Sequence, residues 1–128
     1  VKLIYNLVIV SLLLTGGICL SLAEFTRHNF IVVEKAGEVI ELKVGDMIEM
    51  ASPMLPLVPA NLDKEFQVTY DQKTLRLIGD LTPDVEGVMG REYYFKAIFP
   101  GDGFIEITVS DAEGEVLEKH SQDILVKK

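Results

Sequence analysis

Residues 92–111, EYYFKAIFPGDGFIEITVSD, constrain the fold more than any other part of the chain. Tyr93, Phe95, Ala97 and Phe99 share one parity, and Lys96 breaks the other. After Pro100-Gly101-Asp102-Gly103, Ile105, Ile107 and Val109 alternate with Glu106, Thr108 and Ser110. Successive side chains of a strand point to opposite sides of a sheet, so this period of two marks strands with one buried face. The proline and glycines between the runs are turn formers. The stretch predicts two strands and the turn between them, a hairpin.

The same pattern recurs along the chain. Phe30-Ile31-Val32-Val33 is a β-rich run. Ile40, Leu42 and Val44 alternate with Glu41 and Lys43, and Gly45-Asp46 turns into Met47-Ile48-Glu49-Met50. Phe66, Val68 and Tyr70 alternate with Gln67 and Thr69; Leu75-Arg76-Leu77-Ile78 stops at Gly79-Asp80; residues 123–127 supply a last strand. Residues 82–90, TPDVEGVMG, read as a glycine-rich loop and Asp111-Ala112-Glu113-Gly114 as a turn. No run sustains a period of 3.6. Seven to eight short strands with frequent turn signals predict an all-β, immunoglobulin-like antiparallel β-sandwich.

Residues 52–59, SPMLPLVP, break the pattern with three prolines, which have no N–H for a central strand. The segment still carries Met54, Leu55, Leu57 and Val58. Apolar surface is scarce on soluble monomers, so a packed cover over the end of the core is the expected reading; display to a partner is the alternative.

The first 23 residues predict an export signal. Lys2 precedes an apolar run over residues 3–14, Gly16-Gly17 follows, and Ser21-Leu22-Ala23 offers small residues for cleavage after Ala23. Residues 1–23 are then a signal peptide and 24–128 a single domain. An uncleaved anchor over residues 3–23 is long enough to span a bilayer. A lipoprotein acylated at Cys19 fits less well, because Ile18 and Gly16 stand where a small and a leucine-like residue are needed. A cleaved leader places the domain in the periplasm or outside the cell, and its contact with the membrane is transient.

Lys2 is the only charge in that leader, so the remainder carries 11 basic and 20 acidic side chains, a net −9. That balance disfavours nucleic acid and polybasic membrane contact. Cys19 is the only cysteine of the chain, so the remainder has no disulfide, no thiolate metal site and no cysteine nucleophile. No motif of nucleophilic, metal or phosphate chemistry occurs. His28 and His120 are the only histidines, and read as solvated side chains. Met47, Met50, Met54 and Met89 invite a Cu(I) reading, but Met47 and Met50 have opposite parity and read as core. Asp80, Asp84 and Glu86 form a candidate weak calcium set. With carboxylates scattered and none paired for acid–base work, the expected class is non-enzymatic, with no cofactor.

In order, the strands and loops over residues 37–127 resemble the chagasin-type inhibitors of papain-like cysteine peptidases. The resemblance rests on Val44-Gly45-Asp46-Met47-Ile48-Glu49, on Gly87-Val88-Met89-Gly90 before Tyr93-Tyr94-Phe95, and on Gly103 leading into the strand that ends at Val109. Ser52-Pro53-Met54-Leu55-Pro56 stands where that family has its first inhibitory loop, and Ser110-Asp111-Ala112 stands where it carries Arg-Pro-Trp. The resemblance implies an exported immunoglobulin-like domain whose three loops at one end block a cysteine peptidase. Carried over by position, the contact residues are Pro53, Met54, Leu55 and Pro56; Gly87, Val88, Met89 and Gly90; and Asp111, Ala112, Glu113 and Gly114. Two other readings stay open: a structural or adhesion module of an envelope or extracellular assembly, pairing through a strand edge, and a periplasmic copper or calcium carrier.

Overall fold

A computed structural model describes residues 30–33 and 37–128. The predicted leader, its cleavage point, Cys19 and His28 lie outside the described residues. Ten strands are described: β1 (Phe30–Val32), β2 (Ile40–Lys43), β3 (Met47–Ala51), β4 (Leu55–Pro56), β5 (Glu65–Tyr70), β6 (Leu75–Leu81), β7 (Val88–Met89), β8 (Glu92–Ala97), β9 (Gly101–Ser110) and β10 (Val116–Lys127). Eight of them build two four-stranded sheets, ordered β1-β3-β8-β6 and β2-β10-β9-β5; β4 and β7 form a separate ribbon.

The fold is an immunoglobulin-like β-sandwich, and its sheets are mixed. Most neighbours are antiparallel, but β1 runs parallel to β3 and β2 parallel to β10. Residues 30–33 lie beside β3 in the first sheet, while Ile40 pairs with Ile124 in the second. Gly37, at φ +123°, stands just before this second lane. Glycine adopts that backbone without the Cβ clash other residues meet.

The 92–111 stretch is not a hairpin. β8 belongs to the first sheet and β9 to the second, so residues 98–100 carry the chain across the sandwich. Two backbone bonds fix the departure point: Ala97 N–H donates to Asp46 O and Ile98 N–H to Thr74 O, each at 2.8 Å. Phe99 consequently falls past the end of β8 and is exposed, although it shares parity with the core.

The alternating residues do face inward. Ile105, Ile107 and Val109 have no exposed surface, nor do Phe95 and Ala97. All of them but Val109 pack with Leu42, Ile48, Met50, Leu75, Tyr93, Ile124 and Val126 between the sheets. Burial of each large apolar side chain stabilises the fold by about 1.5–3 kcal/mol before entropy is counted. Tyr70 of β5 meets Phe95 of β8 edge-on, with ring centroids 5.2 Å apart, tying one sheet to the other.

β3 and β8 are buried on both faces, which alternation alone does not show. Met47, Tyr94, Phe30 and Leu81 form a second cluster, joined by Ile78. Ile78 reaches it through a bulge between Leu77 and Gly79, where β6 continues to Leu81 instead of stopping. Met47 and Met50 therefore serve two different clusters. Glu49 and Glu92 are buried in the same layer as Tyr94, whose hydroxyl lies 2.9 Å from Glu49 Oε1 and 2.8 Å from Glu92 Oε2. Burial, reinforced by the two carboxylates, pushes the Tyr94 phenol far above its ordinary value.

Candidate protein-binding site

Three loops meet one end of the sandwich. Residues 52–64 leave the end of β3 and enter β5, crossing from one sheet to the other. Residues 82–91 join β6 to β8 at the same edge, where both Ala51 and Leu81 pair with Glu92. Residues 111–115 join β9 to β10 where Ser110 pairs with Glu65, the first residue of β5.

The first two loops are stitched together. Ser52 N–H donates to Arg91 O at 2.8 Å, and Arg91 N–H donates back to Ser52 Oγ at 2.9 Å. The Ser52 hydroxyl donates to Pro53 O. Beyond this clamp, Leu55 pairs with Met89 and Pro56 with Val88, and Leu57 N–H reaches Gly87 O at 2.9 Å. Proline at 53 and 56 removes two N–H donors, which keeps the ribbon short. Gly87 takes φ +80° at its turn. After the ribbon, Pro59 opens a 3-10 turn over Pro59–Asn61. Asn61 Nδ2 donates back to Pro56 O at 2.8 Å.

The third loop is a tight turn built by one side chain. Asp111 Oδ1 accepts the N–H groups of Glu113 and Glu115 at 3.0 and 2.9 Å. Gly114, at φ +87°, donates its N–H to Asp111 O. Aspartate is suited to this because its short carboxylate reaches the backbone two residues on.

The predicted contact residues divide by exposure. Met54, Pro56, Gly87, Ala112, Glu113 and Gly114 are exposed; Leu55, Val88, Met89 and Asp111 are half-buried. Pro53 and Gly90 are buried, and so hold the loops instead of offering surface. Gly90 lies under Met54: a β-carbon there would collide with the Met54 sulfur. Residues 52–59 are not the packed cover expected from their composition. Met54, Leu57 and Val58 are 41%, 53% and 43% exposed, because the ribbon projects outside both four-stranded sheets. Leu62 and Val85 add further exposed apolar surface in the same loops. These two carried no signal in sequence, since neither sits in an alternating run.

The candidate acidic set does not assemble among the described residues. Among the described residues, no three His, Cys, Asp or Glu side chains converge on one point. Asp80 instead pairs with Arg91 at 2.8 Å, and Arg91 also donates to Thr82 Oγ1. The His120 ring nitrogen Nδ1 sits 3.3 Å from Ala51 O.

No family model matches the sequence, and no curated protein matches it. A solved structure does share the fold. The cysteine protease inhibitor EhICP2 from Entamoeba histolytica superposes with a TM-score of 0.60 at 16% identity, over 78% of this chain and 94% of that one. The solution structure of amebosin matches with a TM-score of 0.42 at 10% identity, over 77% of this chain and 96% of that one. The described residues share the immunoglobulin-like fold of that inhibitor.

Proposed function

We propose that this chain is an exported, non-enzymatic binding protein that blocks the cleft of a papain-like cysteine peptidase with its loop end. The observation that carries this is the β4–β7 ribbon. It joins two of the three loops and leaves Met54, Leu57 and Val58 exposed on a proline-stiffened backbone. A stiff apolar edge loses little conformational freedom on binding, so more of the burial energy appears as affinity. The solved relative named as a cysteine protease inhibitor supports the direction of the reading. The Ser52–Arg91 clamp ties the bases of the first two loops together, and the Asp111 turn lies at the same end of the sandwich. Inhibition follows by occupation of the cleft, without chemistry on the inhibitor.

The test is a titration of papain-like peptidases with the purified domain. Tight inhibition at nanomolar concentration, weakened by Met54→Ala and Leu57→Ala, is the expected result. Full activity of every enzyme at micromolar domain sinks the reading.

A second reading, a module that pairs through a strand edge, has its own observation. Val44 N–H bonds Lys127 O, so alternate residues back along β10 turn their backbone groups toward the β2 side. β2 reaches back only to Ile124. The backbone groups of Lys119 and Ser121 thus face a lane that holds no strand among the described residues. This reading predicts a complex that survives Met54→Ala but is lost on Lys119→Pro.

A further inference from the structure

We infer that the partner of the loop end carries a basic rim around its apolar groove, and that charge sets how fast the two meet. The inference rests on the proposed function above. The three loops, residues 52–64, 82–91 and 111–115, contain six carboxylates and two cations. Both cations are spent within the molecule: Lys64 on Asp63 at 3.1 Å and Arg91 on Asp80 at 2.8 Å. Asp84, Glu86, Glu113 and Glu115 are exposed and have no cation within salt-bridge reach among the described residues.

The far end of the sandwich is different. Its loops, residues 44–46, 71–74 and 98–100, hold only Asp46, Asp71 and Lys73. Both of those carboxylates are engaged locally: Asp46 accepts from Lys43 N–H, and Asp71 from Thr74 Oγ1. The net charge is thus −4 at the loop end against −1 at the other. The loop end, which also carries the exposed Met54, Leu57 and Val58, is the more acidic of the two ends.

An end that carries both an apolar edge and unpaired carboxylates is complementary to a groove bordered by lysine and arginine, and repels an acidic one. Complementary potentials of this kind act mainly on encounter, raising association rates by about 10- to 1000-fold at low salt. Screening shortens their reach to about 8 Å at 0.15 M ionic strength. The same border gives selectivity, because a like-charged rim faces an energetic penalty at every approach.

The experiment measures association and dissociation rates of the domain on two papain-like peptidases chosen for opposite charge around the cleft, at low and at physiological salt. A quadruple variant, Asp84→Lys, Glu86→Lys, Glu113→Lys and Glu115→Lys, is measured alongside, with thermal unfolding as the folding control. The expected result is faster association with the basic-rimmed enzyme, falling about tenfold as salt rises, with the preference inverted in the variant. Binding to both enzymes with salt-independent, equal association rates overturns the inference and leaves the proposed function standing. Faster capture of the acidic-rimmed enzyme also overturns it. Binding to neither, at any salt, removes the proposed function and the inference together. The salt dependence of the unaltered domain decides the matter even if the variant does not fold.

Discussion

The Met54 thioether occupies the space that a side chain at Gly90 would fill. One residue belongs to the first loop and the other to the second, so the absence of a Cβ at Gly90 seats the exposed methionine. Gly90→Ala forces Met54 to move, and Ser52 Oγ, 3.2 Å from the added carbon, must give by a few tenths of an ångström. A methionine tip swings aside easily, so unfolding free energy should change by no more than about 1 kcal/mol. Peptidase affinity should fall in parallel with that of Met54→Ala. A denaturation curve and an inhibition titration on the same protein separate the two effects.

Tyr94 makes stability sensitive to alkali. Its hydroxyl lies against buried Glu49 and Glu92, and burial holds the phenol protonated well above its ordinary value. Above the unfolded tyrosine value of about 10, the unfolded chain releases a proton that the folded chain keeps. Stability is therefore fully present below that pH and lost above it, at up to about 1.4 kcal/mol per pH unit for one such group. Burial raises Tyr93 as well and adds to the slope. Urea unfolding between pH 9 and 11 should show the loss, and Tyr94→Phe should flatten it. At neutral pH the same substitution should destabilise by about 1–3 kcal/mol, because two buried carboxyl groups lose their shared hydroxyl.

The third loop depends on one carboxylate. Asp111→Ala removes the acceptor of two backbone N–H groups and should cost about 1 kcal/mol. The local signature is more specific. Amide hydrogen exchange at Glu113 and Glu115 should accelerate while the amides of β9 stay protected. Unchanged exchange at those two positions would show that the turn holds without its aspartate.

Ile107 sits at the centre of β9, with no exposed surface, among residues of both sheets. Ile107→Ala should destabilise by about 2–5 kcal/mol, the range for a truncated core isoleucine. Met54→Ala, on exposed surface, should stay within about 0.5 kcal/mol of the parent. Equal losses in the two variants would mean that the loop end is part of the core.

Alternation revealed the inner faces because it is a property of each strand taken singly. Ile105, Ile107 and Val109 needed no partner to be recognised, and the Asp111 turn carries its chemistry within five residues. What crosses between strands was not legible. Pro100-Gly101-Asp102-Gly103 has the composition of a hairpin turn, yet the chain changes sheets there; which occurs depends on Ala97 and Ile98 bonding to Asp46 and Thr74. Nothing in sequence marks Glu49 and Glu92 as buried; their place is set by the Tyr94 hydroxyl that lies against both. In the loops, the prolines of residues 52–59 announced stiffness but not direction. Their direction is set by Pro56 pairing with Val88 and by the bond from Leu57 N–H to Gly87 O, about thirty residues on.

The parallel contact between β2 and β10 also has a consequence in time. Ile40 waits for Ile124, and among the described residues β10 is the only strand that joins β2 to the rest of its sheet. A chain emerging from the ribosome can complete the first sheet before the second has its central strand. Distant pairings of this kind slow folding, because the loop must close before any contact rewards it. Until residues 124–127 arrive, Leu42 has no lane to occupy, and one wall of the core stands open to whatever apolar surface passes.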